Sequence, residues 1–209
     1  MSDVSSYFDE AALDMGAVVD AMRETGAASV PLLRDDGRER LLEAALRGVY
    51  RTSREVVGSG ENIVRQGMDC CAVFPDDSPF HGFTAAFQAL VERALAGLGD
   101  EPFATPLTFD DLMLQRYDAG SIGITPHRDS ARYINVACLF TLAGDARLYL
   151  CADRAGSAKR EIDHAPGSVV FLRAPGFLGS DERPFHTITE IGVGRVSFGL
   201  RQRRAPATP

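Results

Sequence analysis

Beyond Pro106 the chain of 209 residues breaks into short apolar or alternating runs, and this change of texture constrains the fold more than any other feature. The runs are 112–117, 122–125, 133–142, 147–151, 168–172, 185–189 and 195–201. Turn-forming residues separate them, among them Asp118-Ala119-Gly120, Ala143-Gly144-Asp145, Pro166-Gly167 and Gly192-Val193-Gly194. So many short strands in succession predict a sandwich or barrel, since each buries its apolar side only against another sheet.

The stretch before Pro106 carries a different period. Ala12, Leu13, Met15, Val18, Val19 and Met22 recur at three- and four-residue steps, predicting a helix from Asp9 to Glu24 that stops at Gly26. Residues 29–33 read as extended, because Pro31 disfavours helix at the residue before it. Asp35 or Asp36 is placed to cap a second helix running through Arg47, with Leu41, Leu42, Ala45 and Leu46 on its buried side. A third helix is expected from about Phe83 to Leu98, with Phe87, Leu90, Val91 and Leu95 in register. Helices first and strands afterwards indicate an α+β fold. The expected organisation is one domain over residues 1–209: a mainly helical part (1–105) packed on one face of a β-roll (106–202), then a frayed tail (203–209).

Charge narrows the function. The formal net charge is −7, which argues against affinity drawn mainly from phosphate neutralisation. Lys159 is the only lysine, so arginine is common and one well-placed Arg carries little weight. Residues 1–145 hold 12 basic and 23 acidic side chains, whereas residues 146–209 hold 10 and 6. The C-terminal third is therefore where an anionic ligand would fit. No apolar run reaches the roughly 20 residues of a membrane helix. The start, MSDVSSYFDE, lacks the basic and apolar segments of a signal peptide, and a cytoplasmic location is expected. Cys70, Cys71, Cys138 and Cys151 form no C-x-x-C pair and read as buried free thiols.

Of four histidines, His127 stands two positions before Asp129. In an extended segment residues i and i+2 point to one side, so imidazole and carboxylate can hold one ion together. His186, in Pro-Phe-His-Thr-Ile-Thr, is the natural third ligand. Two imidazoles and a carboxylate leave metal positions open, an arrangement suited to non-haem Fe(II) oxygen chemistry. The following run, Gly194 to Gln202, sets Arg195, Ser197, Gly199 and Arg201 on one strand face and Val196, Phe198 and Leu200 on the other. A guanidinium facing a barrel interior needs an anionic partner, and a dicarboxylate would supply it.

These residues resemble the Fe(II)/2-oxoglutarate-dependent dioxygenases, whose core is a double-stranded β-helix, or jelly roll. The match rests on His127-x-Asp129, on His186 and on Arg195-x-Ser197, which the resemblance makes the clamp for the distal carboxylate of 2-oxoglutarate. Arg201, six positions after Arg195, is similar to the Arg-x5-Arg pattern of AlkB-like members. Gln115-Arg116-Tyr117-Asp118-Ala119-Gly120 resembles the AlkB-type Asn-x-Tyr-x-x-Gly turn, with Gln115 in place of asparagine. The resemblance implies that His127, Asp129 and His186 hold Fe(II), that Arg195, Ser197, Tyr117 and Arg201 bind the cosubstrate 2-oxoglutarate, and that O2 is consumed. It covers about residues 112–202.

The departures bear on substrate. Ala131 stands where AlkB-like repair enzymes usually carry an acidic residue, and the chain has no tryptophan for base stacking. Hydroxylation or oxidative demethylation of a small molecule or protein side chain is the expected reaction. The rivals are an AlkB-like nucleic-acid demethylase and a cupin-like metal-binding sensor without turnover. Arg128 and Arg132 flank the metal pair where an anionic substrate would meet them. His81 is expected in a loop and His164 in a solvent-facing turn. Residues 52–80 and 152–166 lack a clear period and are candidate lids.

Overall fold

The structure is a computed structural model that describes residues 7–205; the first six residues, and 206–209 of the expected tail, lie outside the described part. Its helices are Met15–Thr25 (α1), Asp35–Leu46 (α2) and Pro79–Ala96 (α3). The strands are Ala27–Pro31 (β1), Arg51–Thr52 (β2), Val56–Val57 (β3), Val64–Arg65 (β4), Asp69–Cys71 (β5), Asp111–Tyr117 (β6), Ile124–His127 (β7) and Tyr133–Gly144 (β8). Arg147–Cys151 (β9), Arg160–Ile162 (β10), Ser168–Arg173 (β11), Phe185–Thr189 (β12) and Arg195–Arg203 (β13) complete the set. Among the described residues no helix is long and apolar enough to cross a membrane.

The strands form two facing sheets, a seven-stranded one in the order β1-β11-β8-β13-β6-β5-β2 and a four-stranded one in the order β10-β9-β12-β7. A small hairpin, β3-β4, lies beside β7. This is the expected α+β jelly roll. Strict alternation sorts the larger sheet. Leu112 and Leu114 of β6, Phe171 of β11 and Val196, Phe198 and Leu200 of β13 join the helices in one apolar core. Tyr117, Leu139, Val170 and Leu172 face the other way and meet Leu148, Leu150 and Ile188 of the smaller sheet. Phe80, Phe83 and Phe87 of α3 close the first core against Phe140 and Phe198, with ring centroids 4.5–5.8 Å apart.

Local chemistry shifts several helix boundaries from their expected places. The helix expected from Asp9 begins at Met15, because the Asp14 carboxylate accepts the Ala17 N–H at 3.0 Å and caps it there. Only a 3-10 turn, Glu10–Ala12, precedes it. Gly26 ends α1 in the left-handed region, as expected. Arg34, not Asp35 or Asp36, occupies the capping position of α2; the two aspartates sit in its first turn and face the positive end of the helix dipole. Pro79 starts α3 four residues before Phe83, a proline being well tolerated at the first helical position. His81 therefore lies in the first turn of α3 and not in a loop. Both stretches lacking a period contain strands: the end of β2 and all of β3 to β5 within 52–80, and β10 within 152–166. Arg203, assigned to the frayed tail, ends β13, where Asp111 holds its Nε at 2.6 Å.

Candidate active site

Strand pairing assembles the three candidate ligands. His186 of β12 lies directly opposite His127 of β7 in the antiparallel ladder, so both imidazoles emerge on the barrel side with ring centroids 4.3 Å apart. Gly123, just before β7, makes that approach possible: its φ is +72°, and a Cβ there would stand 1.9 Å from the Ile188 carbonyl oxygen. Asp129, two residues past His127, brings its Oδ1 within 3.8 Å of Nε2 of both histidines. One donor atom from each of the three lies within 4.8 Å of the others, and among the described residues this is the one such group.

The remaining oxygen of Asp129 is engaged by Arg201, whose Nε lies 3.3 Å from Oδ2. Burial works to raise the Asp129 carboxyl, but the Arg201 guanidinium and the two imidazoles outweigh it and hold the group well below the usual carboxylate range. His127 moves the other way. Burial, then the neighbouring His186, lowers it to about 4, so its ring is neutral at neutral pH and has a lone pair to offer a cation. The His127 Nδ1 lies 3.0 Å from the Thr125 carbonyl, which turns Nε2 toward Asp129. Two closely placed imidazoles, that of His127 neutral, and an ionised carboxylate make a donor set that fits a divalent transition metal.

Deeper in the barrel the charge is unbalanced. Arg195 is 2% exposed, and its Nη1 and Nη2 donate to Ser197 Oγ at 2.8 Å and Thr141 Oγ1 at 3.3 Å. No carboxylate within the described part pairs with it. Its Nε, the Tyr117 hydroxyl and Arg201 Nη1 are all buried without a hydrogen-bond partner. The Tyr117 ring lies 5.8 Å from the Arg195 guanidinium, and burial pushes the phenol up to about 12, so it stays protonated and able to donate. Three buried donors aimed into one barrel fit a ligand with carboxylates. Tyr117, Arg201 and the three metal ligands line a cavity of about 40 Å³, walled also by Ile124, Leu139, Leu172 and Ile188, with Arg195 beside the Tyr117 ring and outside the lining itself.

The structure thus brings together His127, Asp129, His186, Arg201, Tyr117, Arg195 and Ser197. Gln115 also lines the cavity, with its Nε2 3.2 Å from the Met68 sulfur. Arg128 and Arg132 stay exposed, whereas His81 hydrogen-bonds the Pro75 carbonyl away from the site. His164 is a correction: expected toward solvent, it is 7% exposed and close enough to Arg195 to feel its charge. Two contributors were missed. Thr141 shares the Arg195 guanidinium, and a single threonine within the apolar run 136–142 of β8 was its signal. Arg183 donates to the main-chain carbonyl of Asp129 at 2.5 Å, a contact with no local sequence mark.

No protein-family model and no curated protein sequence matches the chain. Solved structures do. A prolyl-4-hydroxylase from Pseudomonas putida superposes with a TM-score of 0.65 at 18% identity, covering 90% of this chain and 98% of that one. A Trichoplax adhaerens prolyl hydroxylase, solved with a hypoxia-inducible-factor peptide fragment, gives 0.68 at 16% identity over 90% and 88%. The fold is that of the 2-oxoglutarate–Fe(II) oxygenases. Within this oxygenase fold, OsALKBH1 also superposes, at 0.55 and 16% identity over 85% and 98%, so the likeness spans both hydroxylases and an AlkB homologue. Likeness of fold leaves the chemistry to be argued from the site itself.

Proposed function

We propose that this chain, acting as a single domain, is an Fe(II)- and 2-oxoglutarate-dependent dioxygenase that hydroxylates, or oxidatively demethylates, a protein side chain or small molecule. One observation carries the reading: a two-histidine, one-carboxylate group lines a small cavity together with Tyr117, and beside the Tyr117 ring lies Arg195, a buried guanidinium without a counter-ion. When bound, Fe(II) supplies activation of O2, coupling decarboxylation of 2-oxoglutarate to succinate with oxidation of a substrate C–H bond. Every other requirement falls to the chain. His127, Asp129 and His186 would hold the metal. Arg195, Ser197 and Thr141 would grip the distal carboxylate of the cosubstrate, with the Tyr117 hydroxyl donating beside them. Arg201 occupies Asp129 Oδ2 and so leaves Oδ1 turned to the imidazoles. Leu148, Leu150 and Ile188 wall the barrel and exclude water.

A protein substrate is favoured over nucleic acid by the charge of −7 and by a cavity whose only aromatic lining besides the imidazoles is Tyr117. A prolyl hydroxylase of this fold, solved with a peptide fragment, supports that reading. The four cysteines are free thiols, in keeping with a reducing cytoplasm. The test is conversion of 2-oxoglutarate to succinate by the protein with added Fe(II) in air, without substrate. Slow conversion that stops under nitrogen is expected. No conversion would leave a metal-binding sensor instead, and rapid formaldehyde release from methylated oligonucleotides would favour the AlkB-like alternative.

A further inference from the structure

We propose that Arg128 and Arg154, both set over the ring of Phe185, form a rim subsite for a carboxylate side chain of an acidic peptide substrate; this rests on the dioxygenase reading above. The Arg128 guanidinium lies 4.1 Å from the Phe185 centroid and that of Arg154 5.5 Å. Among the described residues neither has a carboxylate partner. Arg154 meets only a neutral amide, Asn62 Oδ1, at 3.2 Å. Exposed arginines on the helical side are treated differently: Arg23 pairs with Asp20, Arg47 with Glu43 and Arg93 with Glu10. Arg51, Arg65 and Arg160 are also exposed and, among the described residues, without an ion pair, so what distinguishes Arg128 and Arg154 is that two guanidiniums meet over one ring beside the metal ligands.

The ring fixes them for that task. An exposed cation–π contact contributes about 0.5–1 kcal/mol and holds the Arg128 guanidinium while its N–H edge stays open to a carboxylate, whereas Arg154 Nη1 is buried without a hydrogen-bond partner. The position is equally specific. Arg128 separates the ligands His127 and Asp129, and Phe185 immediately precedes His186. Strand alternation sends these side chains to the side opposite the ligands, onto the outer rim. Alongside runs a cleft of about 470 Å³ lined by Arg128, Phe185, Arg173 and Arg183 and by the carboxylates of Asp181 and Glu182; Arg154 stands outside it. Arg173 is already taken by Glu182 at 2.6 Å and Arg183 by the Asp129 carbonyl, so neither competes for the incoming acid. An extended peptide advances about 3.3 Å per residue, so an acidic side chain about three residues from the oxidised one spans the strand layer.

Fluorescence anisotropy with the full-length, Co(II)-loaded protein tests this, using labelled short peptides that alternate Glu with Ala and Pro, their Gln counterparts, and a single-stranded oligonucleotide of equal length. The Glu peptides should bind about ten-fold more tightly than the Gln peptides, the scale of one charge-assisted hydrogen bond. Arg154→Gln and Arg128→Gln should each abolish that preference, while Arg93→Gln keeps it. If Arg128→Gln fails to fold, Arg154→Gln decides alone. Equal binding of Glu and Gln peptides, or tighter binding of the oligonucleotide, would overturn the proposal. Succinate formation assayed on the same preparation separates the two failures: its absence sinks the dioxygenase reading whatever the peptides do, and its presence without a Glu preference sinks only the subsite.

Discussion

The two ends of the barrel hold their charges in opposite ways. At the metal end, Asp129 is surrounded by Arg201 and two imidazoles, and every charge has an internal partner. At the far end, Arg195 is more deeply buried than Asp129, yet only hydroxyls and an aromatic ring attend it. A balanced cluster can exist to stabilise the fold. An unbalanced buried cation costs several kcal/mol and persists only where something else requires it. The far end is therefore what separates a ligand site from a polar network in the core.

The largest effect expected is at the metal end. His186→Ala removes one of the two imidazole donors and should reduce succinate formation more than about a hundred-fold, beyond what loss of an outer-shell contact does. Titration with Co(II), followed by its visible absorption, checks that the loss is one of metal binding. Retention of wild-type affinity would break the symmetry between His127 and His186 that their ladder pairing implies.

A pair of variants then sets the two ends against each other. Arg195→Met removes an unpaired cation, so it should raise the KM for 2-oxoglutarate steeply while stabilising the ligand-free protein by about 1–4 kcal/mol. Arg201→Met removes a paired one and should destabilise it by about 2 kcal/mol, short of the usual loss for a broken buried pair because Asp129 keeps its imidazoles. Thermal melts without metal or cosubstrate read both signs. If Arg195→Met lowers the melting temperature as Arg201→Met does, the far end is structural and the comparison fails.

The same contrast explains what sequence could and could not reveal. His127 and Asp129 are two residues apart, and the alternation of β13 puts Arg195 and Ser197 on one face, so local spacing was enough to nominate them. His186 joins them only through a cross-strand register set by Gly123, and its motif, not its spacing, pointed to it. Thr141 is 54 residues from Arg195 and Arg183 is 54 from Asp129; such contacts are products of sheet order, which no local pattern encodes. Helix starts slipped where a capping side chain or a proline competed with apolar periodicity, as at Asp14 and Pro79. His164 was misplaced because a turn sequence says nothing about what folds over it.

A gentler probe of the far end is Thr141→Val, which deletes one of the two hydroxyls on Arg195 while keeping side-chain volume. A neutral hydrogen bond contributes about 1 kcal/mol, so the KM for 2-oxoglutarate should rise about five-fold with kcat nearly unchanged. Equal loss in kcat would mean that the hydroxyl acts on the reacting end.

The smallest effect is also the one that ties acid stability to the unpaired guanidinium. Burial, and then the like charge of Arg195, lowers His164 to about 4, whereas in the unfolded chain it titrates near the ordinary histidine value of about 6.5. Between those values the unfolded chain binds a proton that the folded one refuses, so stability falls as pH drops from about 6.5 toward 4 and is unaffected above. His164→Gln should flatten part of that slope, lowering the melting-temperature difference between pH 7 and pH 5 by a few degrees. His127 follows the same law in the metal-free protein, so the comparison is of slopes and not of a single melting point. Arg195→Met should flatten the slope as well, through loss of the like charge, and the two substitutions combined should add less than their separate effects. Full additivity would mean that His164 owes its depression to burial alone and lies outside the influence of the clamp.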